Sequence, residues 1–146
     1  MLTLPAKTRR RKQPYLSLRS QLTERNLRRQ ATVFYSELRE FIARRGIEDA
    51  GPPFMRYHSI GRAGDIDMEF GFFTARVHAG SGPVRSGQLP AGVFLTAEWI
   101  GPYENHVDAQ AMLAGWAQQN HVAIDAREGP EGLVFGCRLK VFHVAS

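Results

Sequence analysis

The nine residues DIDMEFGFF, Asp65 to Phe73, alternate strictly: Ile66, Met68, Phe70 and Phe72 fall on one side of an extended chain, and Asp65, Asp67 and Glu69 on the other. Side chains of a strand point to opposite faces in turn, so this pattern predicts a β-strand with one face in a core. An antiparallel sheet covered on one side is the usual setting for it. GRAG (Gly61 to Gly64) just before it predicts a chain reversal, and Phe54 to Ile60 before that reads as a partner strand with Met55, Tyr57 and Ser59 on one face.

The same logic organises the rest of the chain. Gln13 to Thr23 sets Tyr15, Ser17 and Arg19 against Leu16, Leu18 and Ser20, which fits a first strand. Thr23 is suited to cap a helix, and Leu27, Ala31, Phe34, Leu38, Phe41 and Ile42 follow at spacings of three and four. That helix should end at Gly46, which can adopt a left-handed conformation, with Ile47 folding back onto the last turn. A loop rich in Gly, Ser and Pro spans 80–92; Val93 to Ile100 reads as a strand, and GPY (Gly101 to Tyr103) turns into a second helix carrying His106, Ala109, Leu113, Trp116 and Ala117 on one side. GPEG (Gly129 to Gly132) precedes a closing strand, GCRLKVF, Gly136 to Phe142. The expected fold is α+β: two β-α-β-β units, the second shortened, with antiparallel sheets and a helix on each. The closing strand leaves an edge that a second copy of the chain, or the segment around Arg127 folding back, would cover, and without either the second half of the domain would be weakened.

At 146 residues the chain is the size of one domain, and its 43% hydrophobic and 23% charged composition is that of a soluble globular protein. No apolar run approaches the roughly 18 residues of a membrane helix, and no secretory signal is visible, so a cytoplasmic location without membrane contact is expected. The net charge of +5 is unevenly placed: residues 1–30 hold nine Lys and Arg against one Glu, and residues 31–146 hold ten against thirteen acids. The excess lies in a basic head, 1–12, read as a flexible tail ahead of a single domain, 13–146, with at most a weak electrostatic contact to nucleic acid. Five histidines show no metal spacing, and no GxSxG or phosphate-binding loop is present. No cofactor is expected. The lone Cys137 sits on an apolar strand and reads as a small buried hydrophobe.

GPPFMRYH, DIDMEFGF, LPAG, WIGPYENH and GCRLKVF, in this order and spacing, resemble the GyrI-like small-molecule-binding domain, the effector-binding half of AraC-type and multidrug-responsive bacterial regulators. The resemblance covers about residues 13–144. It implies two pseudo-symmetric units with an aromatic-lined ligand cleft between them. It also implies that the chain binds a hydrophobic or aromatic small molecule without catalysis. Alternatives from the same family are a protein-interaction module of the gyrase-inhibitor type and a hydrolase of reactive cyclic natural products.

By this resemblance the ligand-binding candidates are Tyr57, Glu69, Trp99, Tyr103, Lys140 and Phe142. The last two depart from the family, which has glutamate where this chain has Lys140 and tyrosine where it has Phe142. A glutamate there would attract cations or serve as general acid or base. Lysine reverses the field, so the site should favour anions or neutral aromatics unless Lys140 pairs with Glu69 or faces solvent. Hydrolysis loses its carboxylate by the same exchange.

Overall fold

The structure, a computed structural model, describes residues 2–100 and 106–142. It is α+β, with strands β1 (Ala6–Arg10), β2 (Gln13–Thr23), β3 (Ala50–Gly61), β4 (Asp65–Thr74), β5 (Arg85–Leu89), β6 (Gly92–Thr96), β7 (Ala126–Glu128) and β8 (Gly132–Val141), and helices α1 (Glu24–Arg44) and α2 (His106–Gln119).

The chain forms two compact units. The larger comprises residues 12–90 and 125–142. Its strands make one antiparallel sheet in the order β5-β2-β4-β3-β8-β7. The alternating stretch Asp65–Phe73 is β4, in the middle of this sheet. Ile66, Met68 and Phe70 pack in one cluster with Leu22, Ala31, Met55 and Tyr57, and Phe72 packs with Leu16, Leu18, Leu38 and Phe41. Phe70 and Leu38 are fully buried, each contributing about 1.5–3 kcal/mol by leaving water. The rings of Phe34 and Tyr35 reach down from α1 to Phe70 at centroid distances of 5.3 and 5.8 Å, so the helix fixes which face of the sheet is its core face.

The helix begins and ends where its caps dictate. Thr23 is extended, its N–H donating to the Asn26 side chain at 2.9 Å, which supplies one half of a capping box. At the other end Gly46 has φ +63°, and the Ile47 N–H donates to the Ile42 carbonyl while Ile47 packs on the Phe41 cluster. This is the left-handed termination with its apolar fold-back.

Two strands of this unit were not visible as such in the sequence. β5 lies inside the Gly/Ser/Pro-rich loop, because its RSGQL is too polar and too glycine-rich to alternate; it is an edge strand paired to β2. Gly87 stands opposite Tyr15, where a Cβ would come within 2.7 Å of the tyrosine ring, so glycine leaves the space that the ring fills. β7 is the Arg127 segment, which folds back and pairs Ala126 to Phe135 and Glu128 to Leu133, covering part of the β8 edge.

The smaller unit comprises residues 2–11, 91–100 and 106–124. Part of the basic head belongs to it as ordered chain. β1 pairs antiparallel with β6, Ala6 facing Thr96 and Arg10 facing Gly92, and the Thr8 and Thr96 hydroxyls meet at 2.9 Å. Composition suggested a solvated tail because the segment is dense in Lys and Arg, and all five β1 side chains are exposed. Backbone pairing needs no apolar face, so charge alone does not forbid a strand.

Candidate functional site

The large sheet separates the candidate residues of that unit by face. Tyr57 is two residues on from Met55 in β3 and lies with it in the cluster under α1. β8 runs antiparallel to β3, with Lys140 opposite Met55 and Arg138 opposite Tyr57, so both cations share the Tyr57 side of the sheet. The Lys140 ammonium stands 5.1 Å from the Tyr57 ring centroid and the Arg138 guanidinium carbon 4.9 Å from it. Phe142, whose N–H is held by the Pro53 carbonyl at 3.0 Å, packs against the same cluster. Three sequence candidates, Tyr57, Lys140 and Phe142, therefore come together.

A local irregularity adds a fourth ring. Between the pairs Tyr57–Arg138 and Ser59–Val134, β8 carries more residues than β3 opposes, a bulge around Gly136. It lets Phe135 and Arg138, three apart in sequence, reach one face. The Arg138 guanidinium lies 4.9 Å from the Phe135 centroid as well as from that of Tyr57, a cation between two aromatic rings. Burial, and then repulsion from Arg138, lowers the Lys140 pKa from its usual value to about 8. The ion pairs among the described residues join Arg19 to Asp67, His58 to Glu69, and Arg76 and His78 to Asp49. Neither Arg138 nor Lys140 is among them.

Glu69 is on the other face of the same sheet, with Phe54, Phe73, Leu89 and Tyr15 as its apolar surroundings. It is only 5% exposed. Ser17 Oγ donates to Oε2 at 2.5 Å, Tyr15 Oη donates to Oε1 at 3.0 Å, and His58 Nε2 meets Oε1 at 2.5 Å. Two flanking strands thus converge on the one carboxylate of β4, with Tyr15 and Ser17 from β2 and His58 from β3. Burial alone would raise its pKa, but the hydrogen bonds from His58 and Ser17, the His58 charge and the Tyr15 hydroxyl outweigh it and hold it at about 2. Tyr15 responds in the opposite sense: burial, then the Glu69 charge and hydrogen bond, push it up to about 12. Arg56 flanks the group, its Nη1 donating to Tyr15 Oη at 3.4 Å and its Nη2 to the Gly136 carbonyl at 3.2 Å, while its Nε is buried without a partner. Gly71 makes the site possible, since a Cβ there would lie 2.6 Å from the Phe54 ring.

Lys140 and Glu69 consequently cannot form the ion pair considered from sequence: strand parity sets them on opposite faces. Trp99 lies in the smaller unit, in a single antiparallel bridge to Leu2, and Tyr103 falls outside the described residues. Sequence reasoning did not single out Arg138, Tyr15, Ser17 or His58. Arg138 was signalled by its i, i+2 relation to Lys140; Tyr15 and Ser17 shared a face in the β2 pattern, but only the register with β4 brings them to Glu69.

No protein-family model matches the sequence, and no curated protein matches it. Among solved structures, the chain is similar to the crystal structure of the EcmrR C-terminal domain, with a TM-score of 0.59 and 17% identity over 88% of this chain and 80% of that one. It is equally similar to EcmrR in its cryo-EM complex with DNA, with a TM-score of 0.59 and 17% identity, where it spans about half, 47%, of that chain. At this identity the likeness establishes the fold. No helix of the described residues is long and apolar enough to cross a membrane.

Proposed function

We propose that this chain is a ligand-binding module of the GyrI-like kind, recognising an aromatic small molecule on the β3–β8 face by binding, not by turnover. The observation that carries this is the convergence of Tyr57, Phe135 and Phe142 with Arg138 and Lys140 on one face. Aromatic walls with a few polar groups are what small-molecule sites are built from. The fold shared with the EcmrR C-terminal domain, part of a protein seen bound to DNA, supports a regulatory setting. The exposed cations of β1 give nucleic-acid contact only an electrostatic basis, and the binding function does not depend on it.

Glu69 offers little to catalysis in this arrangement. A carboxylate held near a pKa of 2 carries no proton to donate at neutral pH, and three donors already occupy it. It is better suited to holding β2, β4 and β3 in register than to meeting a substrate.

A thermal-shift screen of the full chain with neutral, anionic and cationic aromatic compounds tests the proposal. Ligand at a hundred times its Kd should add about 2.7 kcal/mol, a rise of several degrees in Tm. Phe142→Ala, at a half-buried position, should abolish most of that rise. Failure of every compound to raise Tm, or a rise that Phe142→Ala leaves untouched, would refute binding at this face.

A further inference from the structure

Arg138 and Lys140 are two cations on one face of one strand, both half-buried, with no carboxylate within ion-pair distance of either among the described residues. Taking a charge out of water costs free energy unless a partner replaces the lost hydration, and two like charges side by side add repulsion. Proteins normally avoid this. Elsewhere in this chain Arg19 Nη2 meets Asp67 at 2.8 Å, Glu69 has His58, Ser17 and Tyr15, and the half-buried Arg56, which makes no ion pair among the described residues, still donates to Tyr15 Oη and to the Gly136 carbonyl. The acids of β4 do not help, because that strand turns Asp67 and Glu69 to the opposite face, where both already have partners. The aromatic rings that flank the cations interact with them, but rings neutralise no net charge.

Among the described residues neither cation makes a hydrogen bond. The guanidinium carbon stands 4.9 Å from the ring centroids of both Tyr57 and Phe135, and its forked N–H groups match a carboxylate-shaped acceptor. Lys140 supplies a point charge beside it, and Phe142 continues the apolar wall. From this we propose that Arg138 and Lys140 form an anion-binding fork, so that the ligand of this face is an aromatic compound bearing a carboxylate or a group of the same shape and charge. This rests on the function proposed above and specifies its ligand class.

A matched series separates the two claims. The full chain is titrated by calorimetry with naphthalene-2-carboxylate, naphthalene-2-carboxamide and 2-naphthylmethylammonium, at one pH near 7 and one ionic strength. The carboxylate should bind about tenfold or more tightly than either of the others, as expected for a charge-assisted bidentate contact. Arg138→Met and Lys140→Met should each weaken the carboxylate about tenfold, while leaving the carboxamide within about twofold. Circular dichroism of each variant confirms that it folds, and neither substitution removes a member of an ion pair found among the described residues. If the carboxamide or the ammonium binds as well as the carboxylate, the anion fork is refuted while aromatic binding stands. If the carboxylate binds but ignores both substitutions, the fork is likewise refuted. If none of the three binds, both claims fall.

Discussion

The two faces of the large sheet treat charge in opposite ways. On one, Glu69 is a buried anion with three hydrogen-bonding partners from two strands, and its pKa falls to about 2 despite burial. On the other, Arg138 and Lys140 are two cations in no ion pair among the described residues, and the Lys140 pKa falls to about 8 because burial and Arg138 both disfavour its charged form. A charge whose ionised form the fold favours strengthens the fold. A charge whose ionised form the fold disfavours is a cost, which a ligand of opposite sign can offset.

The largest effect should come from removing the satisfied anion. Glu69→Ala leaves the Ser17 and Tyr15 hydroxyls and His58 without their acceptor in a buried setting, and should cost about 3–5 kcal/mol in denaturant unfolding. A loss below about 1 kcal/mol would mean that the network contributes little and that the contrast between the faces is not energetic.

Acid should reveal the same group by a smaller change. The folded pKa of Glu69 is about 2 against an ordinary value of 4.5, so its contribution is fully present above pH 4.5 and is lost as pH falls towards 2. Stability should therefore decline across that window by up to about 3 kcal/mol, less the share of other carboxylates. The decline should be shallower in Glu69→Gln, and equal slopes for the two proteins would contradict the depressed pKa.

The smallest effect should have the opposite sign. Lys140 binds its proton less tightly when folded than when unfolded, so its penalty is present below pH 8 and is relieved as pH rises from about 8 to 10.5. Lys140→Met removes that penalty and should raise stability at pH 7 by about 1 kcal/mol, with the gain shrinking above pH 8. A loss of stability at pH 7 would show that the ammonium has a stabilising partner and would close the gap between the two faces.

Much of the fold could be read before any coordinates. α1 was legible because Thr23, the Leu27-to-Ile42 spacing and Gly46 all act locally. β4 was legible because alternation over Ile66 to Phe72 has no other explanation. The site was legible only in part. Tyr57, Lys140 and Phe142 do meet, whereas Glu69 and Lys140, both charged and both placed on strands of the same sheet, do not.

What the sequence determined by itself was everything that depends on near neighbours: the period of two in β4, the period of 3.6 in α1, the caps and the turns. What only the tertiary structure decided was which residues face each other across strands. Tyr15 and Glu69 are 54 positions apart, and Tyr57 and Lys140 belong to strands paired over a still longer gap in the chain, with Met55 opposite Lys140. A one-residue change in register would exchange the faces, and with them the partners of every charge, so the pairing of β3 with β8 and of β2 with β4 is what made one charged group structural and left the other open to a ligand.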